Sequence, residues 1–373
     1  MKIVEAISDT NIGGAGVVLL TRLGADPQMA AKTTVVIPRG SKLRERLAEA
    51  GIGYVEVKTC SDRSFQLSAI PVYMKILKKL SPDIVNCHGC LSCRIAAYLN
   101  GVPVRIYTRH CAYPTKKWQK NCVYRFFCGR IQQLLSHHVI AVAEAAKNDL
   151  IEMGISEERI SVIINGVKGV KRLSEEKREF IKKKLGIPED AVVIGIFARL
   201  EECKGHETLL RAAEGLIRKR QDFRFLIVGC GSEEEHLKRL CKTLGIEKYV
   251  IFTGFAEDVT DYFNITDINV NCSNGTETSS LALSEGMSVG LPCVASDYGG
   301  NPYMVKNGYN GFTFSVGDFD ALAKRIYLLS VSRKLYNKMS ENAYNRFKQE
   351  LNAQKMSRQT NLLYSKLICQ HKK

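Results

Sequence analysis

The strongest constraint on this chain is an alternation. Short runs of aliphatic and β-branched residues, apolar at consecutive positions, are each followed by a stretch with helical spacing. In the first half the runs are KIVEAI, TTVVI, GYVEV, DIVNC, VRIYT, HVIAV and ISVII, with segments such as SKLRERLAEAG and FQLSAIPVYMKILKKL between them. A strand that is apolar on both faces has to be covered on both, and a parallel sheet flanked by helices does this. After NGVKGVKRLSEEK the pattern begins again with AVVIGIFA, FRFLIVG, YVIFTG, DINVNC and PCVAS. The expected fold is therefore α/β, with two Rossmann-like, doubly wound parallel-sheet domains, residues 1–168 and 169–348. The basic, glycine-containing stretch 165–173 is the linker. The last stretch, about 332–368, reads as helix with no strand after it, and 349–373 are expected to return to the N-terminal domain. Ligands of open parallel sheets bind outside the carboxyl ends of the strands. Two such domains facing a cleft would line it with their strand-to-helix loops.

Composition fits this reading. A chain of 373 residues that is 45% hydrophobic and 25% charged can bury two cores of ordinary size. No stretch approaches the roughly 18 apolar residues of a membrane span. The start, MKIVEAISDTNIGG, has no basic leader followed by a long apolar run. The thirteen cysteines are odd in number and scattered, which points to reduced thiols and a cytoplasmic location. Cys87, Cys90 and Cys93 are spaced C-x2-C-x2-C, as in iron–sulfur runs, but lack the fourth close cysteine and the proline. They fall where a buried strand meets a helix and read as core cysteines, with a metal site as the alternative.

The net charge is +16, and residues 1–170 hold 23 Lys/Arg against 13 Asp/Glu. The densest block is 105–130, RIYTRHCAYPTKKWQKNCVYRFFCGR, with seven basic residues and no acid. Its leading reading is a helix whose aromatic face, with Trp118, Tyr124, Phe126 and Phe127, is core and whose basic face is solvated. The same mixture suits an anionic membrane surface on the inner face of the plasma membrane. Nucleic acid is the remaining reading, but no nucleic-acid motif accompanies the charge.

Three loops carry chemistry. In FARLEECKGHETLL, Arg199 ends a buried strand, and Lys204 with Gly205 opens a helix. Two cations near a helix N-terminus suit a diphosphate, with a strand-end salt bridge and a solvated lysine as the alternative. In LIVGCGSEEEHL, Gly229 and Gly231 lie between strand and helix, where backbone can approach a ligand or make an ordinary tight turn. In GTETSSLALSEG, Glu277 precedes a helix and Glu285 lies about two turns inside it. Eight residues rotate a helix by about 800°, which leaves the two acids about 80° apart. They would reach different parts of one extended ligand. The N–H groups of Thr278, Ser279, Ser280 and Leu281 are expected to be free helix donors for phosphate. A carboxylate such as Glu285 suits the vicinal hydroxyls of a ribose.

With these motifs in hand, the chain resembles a family 4 glycosyltransferase of the GT-B fold. NIGGAG after the first strand, YTRH at 107–110, VIINGV at the linker, FARLEECKG, VGCG, and E-x7-E followed by GLPCVASDYGGNPYMV occur in the family's order. The resemblance implies a retaining enzyme that moves a hexose from a nucleoside diphosphate sugar, with UDP as the carrier. The acceptor would be a saccharide or a lipid-linked acceptor in polysaccharide or lipopolysaccharide synthesis. It implies that Arg199 and Lys204 bind the diphosphate, Glu285 the ribose and Glu277 the transferred sugar. The backbone around Thr278, Ser279 and Ser280 would cap the distal phosphate. Gly13 and Gly14 would admit phosphate or acceptor, His110 would contact the donor sugar, and Gly229 and Gly231 would flank the nucleotide.

The chain departs from the family pattern at TSS, where a Gly-Phe-Gly type run is common after the first glutamate, and at NCSNG, which lacks the frequent proline-serine. Both loops face the sugar, so its identity is left open. No cofactor or metal is called for, since two cations would neutralise the diphosphate. Asp318 and Asp320 form a D-x-D, which reads as a helix N-cap with an acidic first turn rather than a metal site. Two other classes remain open at this point: an epimerase of the same architecture acting on a sugar nucleotide, and a basic nucleic-acid binder.

Overall fold

The computed structural model describes residues 1–58, 61–112, 118 and 121–371. The chain forms two compact units, Met1–Val167 with Ala353–Lys373, and Lys168–Asn352.

The strands of the first unit are β1 Ile3–Ile7, β2 Thr33–Pro38, β3 Gly53–Val57, β4 Ile84–His88, β5 Val104–Arg109, β6 His138–Ala141 and β7 Ile160–Val162. They form one sheet in the order β3-β2-β1-β4-β5-β6-β7, and every pair is parallel. All five residues of β1 are buried, because helices cover both faces. One face packs Ile7, Leu19, Leu23, Val35 and Leu43 together, and the other packs Val4, Val36, Tyr73, Val85 and Ala96. The three clustered cysteines belong to that second core. Cys87 lies on β4, and Cys90 and Cys93 lie at and in the helix Leu91–Leu99, all fully buried.

The second unit has β8 Val192–Phe197, β9 Phe223–Val228, β10 Val250–Gly254, β11 Ile268–Asn271, β12 Cys293–Ser296 and β13 Gly311–Phe314. Their order is β10-β9-β8-β11-β12-β13, again all parallel. Chain order reverses direction across the sheet between β8 and β11. The same reversal falls between β1 and β4 in the first unit. These are the switch points at which open α/β sheets bind ligands.

Two elements differ from the sequence expectation. β13 was not anticipated, because GFTF is only four residues long and stands among glycines and polar residues. The C-terminal stretch is two helices, Arg333–Glu350 and Ala353–His371. The break falls at Leu351 and Asn352, where the Asn352 amide donates to the carbonyls of Phe347 (3.3 Å) and Lys348 (2.7 Å) and closes the first helix.

The basic aromatic block shows a larger difference. Residues 113–117 and 119–120 of it lie outside the described residues. Arg105–Arg109 belong to β5, and from Cys122 the block enters the helix Cys122–Leu135, whose aromatic residues are not core. Val123, Phe126, Phe127, Ile131 and Leu134 are all exposed, Phe126 at 58% and Phe127 at 59%. The helix packs through its small side instead. An added Cβ on Gly129 would lie 2.1 Å from the Gly154 carbonyl oxygen. The backbones touch there, and the large side chains are left facing outward. Among the described residues no helix is long and apolar enough to cross a membrane.

Gly129→Ala should therefore unseat this helix, at a cost of about 1–3 kcal/mol for overpacking against backbone. Urea denaturation of variant and parent measures this, and equal midpoints would refute the contact.

Candidate functional site

At the switch point of the second unit, three loops follow the carboxyl ends of β8, β9 and β11. They are locked to one another by glycines. Gly205 has φ 67°, and a Cβ there would lie 2.1 Å from the Cys272 carbonyl oxygen. A Cβ on Gly229 would lie 2.0 Å from the oxygen of Ala198, and one on Gly231 2.3 Å from the oxygen of Leu200. Leu200 N–H donates to the Cys230 carbonyl (3.0 Å), and Asn274 N–H donates to the Cys203 carbonyl (3.0 Å). The two glycines of VGCG are thus required by the chain's own backbone, which is the tight-turn alternative. They also seat the loop that carries Arg199.

Arg199 lies two residues past β8, with its side chain exposed. Among the described residues it has no ion-pair or hydrogen-bond partner, so its charge is available. Lys204 ends a short 3-10 turn, and the helix His206–Ile217 begins after Gly205. Its ammonium is not free: Nζ lies 2.9 Å from Glu277 Oε2. Glu277 is buried in the loop after β11. The same Oε2 also accepts from Ser273 Oγ (2.9 Å) and Asn271 Nδ2 (3.2 Å). These three contacts fall on one oxygen, which leaves Oε1 able to accept a ligand hydroxyl.

This support shell was not visible in the sequence motifs. Asn271, Ser273, Ser296 and Asn301 form a connected network under Glu277. Asn301 Nδ2 donates to Asn271 Oδ1 (3.3 Å) and Ser296 Oγ (3.1 Å), and Ser296 Oγ donates to the Ser273 carbonyl (2.6 Å). Gly299 and Gly300 press the loop from the other side. A Cβ on either would lie 1.9 Å from the Glu277 oxygen and 1.7 Å from the Thr278 oxygen, respectively. The stretch DYGGN marked this contact in sequence, but nothing there assigned its partner.

The helix after Glu277 is Leu281–Ser288, capped by Ser280, whose Oγ accepts from Leu283 N–H at 3.3 Å. This corrects the expected donor set. Thr278 and Ser279 lie in the loop before the cap, so the first-turn donors are Leu281 and Ala282. Ser279 Oγ is buried without a partner among the described residues. Glu285 lies on the second turn, partly buried, with no partner for its carboxylate among the described residues. Burial pushes its pKa up from 4.5 to about 7.

In the first unit, Gly13 caps the helix Gly14–Gly24, and both glycines are exposed. Gly14 has open space around it, with nothing within 4 Å of an added Cβ. His110 follows β5 and stacks on His88. Its Nε2 lies 2.7 Å from His88 Nδ1. Asp318 caps the helix Phe319–Val331, accepting from Ala321 N–H at 2.8 Å, and Asp320 lies in its first turn.

Glu285 yields a stability test. Between pH 4.5 and about 7 the native state keeps a proton that the unfolded chain releases. Stability therefore falls as pH rises through that window and levels off above it. Glu285→Gln should remove this slope and gain on the parent as pH rises. Urea melts at several pH values read it, and parallel pH profiles would sink the assignment.

Comparison with known proteins places this geometry. The family model described as glycosyl transferases group 1 matches residues 177–346, and that described as glycosyltransferase family 4 matches residues 12–168. A UDP-Gal:alpha-D-GlcNAc-diphosphoundecaprenol alpha-1,3-galactosyltransferase of Escherichia coli is 30% identical over 289 residues, 75% of this chain and 74% of its own length. An N-acetyl-alpha-D-glucosaminyl L-malate synthase of Bacillus anthracis is 24% identical over 364 residues, 95% of this chain and 94% of its own. Among solved structures, Anabaena HepE in complex with UDP has a TM-score of 0.86 at 22% identity, covering 98% of this chain and 100% of that one. The two parallel-sheet units are those of the GT-B fold, and the chain belongs to the family 4 glycosyltransferases.

Proposed function

We propose that this glycosyltransferase is a retaining enzyme that moves a hexose from UDP to a saccharide or lipid-linked acceptor of a cell-surface glycan. The observation that carries the reading is the trio at the switch point of the second unit: a free Arg199, and a Lys204 held 2.9 Å from a Glu277 whose other oxygen is open. In this reading Arg199 and Lys204 neutralise the diphosphate. The N–H groups of Leu281 and Ala282 and the Ser279 hydroxyl meet the distal phosphate. Glu285 accepts the ribose hydroxyls, and Oε1 of Glu277 accepts a hydroxyl of the transferred sugar. His110 touches the donor sugar, and the exposed turn at Gly13 and Gly14 leaves room for phosphate or acceptor. The E. coli relative is named for UDP-Gal and a diphosphoundecaprenol-linked sugar, which supports the carrier and the acceptor class, and HepE, solved with UDP, supports the carrier.

Retention follows from attack on one face. The acceptor oxygen bonds to the anomeric carbon on the side from which UDP departs. The bond from that carbon to the β-phosphate oxygen breaks, and the departing phosphate takes the acceptor's proton. Charge builds on the diphosphate, so a preorganised cation contributes most there. Arg199→Ala and Lys204→Ala should each lower turnover by about 10²–10³. Calorimetric titration with UDP, GDP and ADP, beside the same variants and Glu285→Ala, measures carrier choice. Unchanged turnover in the double variant would exclude the assignment.

The helix Cys122–Leu135 is proposed to dock on an anionic bilayer, where a lipid-linked acceptor resides. Its exposed apolar stripe recurs at helical spacing from Val123 to Leu134, and Arg125 and Arg130 flank it. Residues 84–143 contain no acid, so nothing in that span repels anionic lipid. Sedimentation with phosphatidylglycerol-containing vesicles should capture the chain, and pure phosphatidylcholine should capture less. Phe126→Asp with Phe127→Asp should abolish the difference. Equal capture on both vesicles would rule docking out.

A further inference from the structure

Two acids on β1 and the loop that follows it have opposite surroundings. Glu5, in the middle of β1, is completely buried. Its Oε1 receives the Arg22 guanidinium and the Tyr364 hydroxyl (2.9 Å). Its Oε2 receives Asn86 Nδ2 (2.9 Å) and lies 2.7 Å from His88 Nε2. Both oxygens are taken, so Glu5 serves the interior. Asp9 lies two residues past β1 and is partly exposed. Among the described residues its carboxylate has no hydrogen bond and no ion pair.

The freedom of that side chain contrasts with the fixity of its backbone. The Ser8 carbonyl accepts from Asp62 N–H (2.8 Å), and the Thr10 carbonyl accepts from Lys42 N–H (2.9 Å). The Asp9 carbonyl accepts from Ser41 Oγ (3.1 Å). Thr10 N–H donates to Asp62 Oδ1 (2.8 Å), and the Thr10 hydroxyl donates to Oδ2 of the same residue. The loops that follow β2 and β3 thus hold Ser8, Asp9 and Thr10 by their main chain. A short side chain on so fixed a backbone has little room to wander, and its oxygens are placed in advance for whatever they meet.

What lies beside them is the turn that opens the helix Gly14–Gly24. Asp9 Oδ2 lies 3.9 Å from the place that a Cβ on Gly13 would take, and a Cβ on Gly14 would meet nothing within 4 Å. The carboxylate also stands near the stacked His88 and His110. Burial raises its pKa, the Asp62 carboxylate raises it further, and His88 pulls the other way. The unpaired N–H groups of a helix start can hold a phosphate. Here a phosphate would stand against Asp9 and Asp62, two acids already close enough to disfavour each other's charge. A saccharide hydroxyl is different: it brings a donor to a carboxylate with acceptor capacity to spare, and the bond it makes is charge-assisted.

We propose that the turn at Gly13 and Gly14 is the acceptor subsite, where Asp9 receives a hydroxyl of a neutral saccharide and turns anionic acceptors away. This rests on the reading in which the turn leaves room for phosphate or acceptor, and it chooses the acceptor. Asp9 binds and orients; it takes no proton, because the departing phosphate does.

Saturation-transfer NMR on the full chain reads saccharide binding without any donor present. Methyl glycosides of galactose, glucose and N-acetylglucosamine are the neutral probes, and L-malate and glucose 6-phosphate are the anionic ones. At least one glycoside should bind the parent, and neither anion should. Asp9→Ala should weaken that glycoside about tenfold or more, the size of one hydrogen bond to a charged group. Asp9→Asn, which keeps an acceptor oxygen but no charge, should weaken it less. Neither change should lower the urea midpoint, since nothing in the fold rests on this carboxylate; should Asp9→Ala nevertheless misfold, Asp9→Asn has the parent's shape and is read in its place. UDP affinity, titrated by calorimetry, should not fall in either variant. The proposal is overturned if the parent binds no neutral glycoside, if the anions bind it as well as the glycosides do, if Asp9→Ala binds the glycoside as the parent does, or if UDP affinity falls along with it. A parent that binds no UDP would sink the donor reading instead, and the glycoside spectra would still decide the turn.

Discussion

The second unit depends on backbone meeting backbone. Gly205, Gly229, Gly231, Gly299 and Gly300 each leave no room for a Cβ against a carbonyl of a neighbouring loop. The long side chains of Arg199 and Lys204 have many rotamers and could not by themselves define a site. What defines it is the origin of those chains, fixed by loops that interlock at van der Waals contact. Lys204 reaches Glu277 because Gly205 lies on Cys272, at the end of the strand whose following loop carries Glu277. Positioning by main-chain contact costs little side-chain entropy.

Two buried or half-buried glutamates show what partners do to one chemical group. Glu5 and Glu285 both lose solvent, yet their pKa values move in opposite directions. Glu5 has four donors, one of them a guanidinium, and stays charged inside the first unit. Glu285 has none among the described residues, so desolvation wins and its proton is held to about neutral pH. A saturated carboxylate can only hold structure in place. An unsatisfied one retains its acceptor capacity for a ligand that brings donors, such as a diol. The contrast separates a carboxylate that is saturated from one that keeps its acceptor capacity, without reference to either residue's place in a motif.

The parts of the fold legible in sequence were those set by burial. Twelve of the thirteen strands among the described residues were visible as apolar runs, because both faces of each sheet are covered. β13 was not, since four residues among glycines carry too little pattern. The two acids of the E-x7-E spacing and the cations of FARLEECKG were likewise readable, as residues of rare type at loop positions. Their supports were not. Asn271, Ser273, Ser296 and Asn301 are common residues on separate segments, and they meet only because β11 and β12 pair in one particular parallel register. Glu5 stands between these cases. An acid in the centre of KIVEAI is conspicuous, but its partners come from β4, the helix Gly14–Gly24 and the last helix, which no local pattern announces.

The helix Cys122–Leu135 shows the limit of periodicity. A stripe at helical spacing establishes that a helix has an apolar face, but not which way that face points. Here direction is decided by the smallest residue. Gly129 allows the helix backbone to touch the backbone at Gly154, a contact no side chain permits. Turning the stripe inward would replace that contact with phenylalanines, which would hold the helix away from the unit and forfeit the packing. The glycine therefore fixes the rotation of the helix, and the rotation presents Phe126, Phe127, Ile131 and Leu134 to the outside. An apolar face held outward by close packing on its opposite side adds nothing to this chain's own core, and it is this face, with the arginines beside it, that the proposed docking on an anionic bilayer uses.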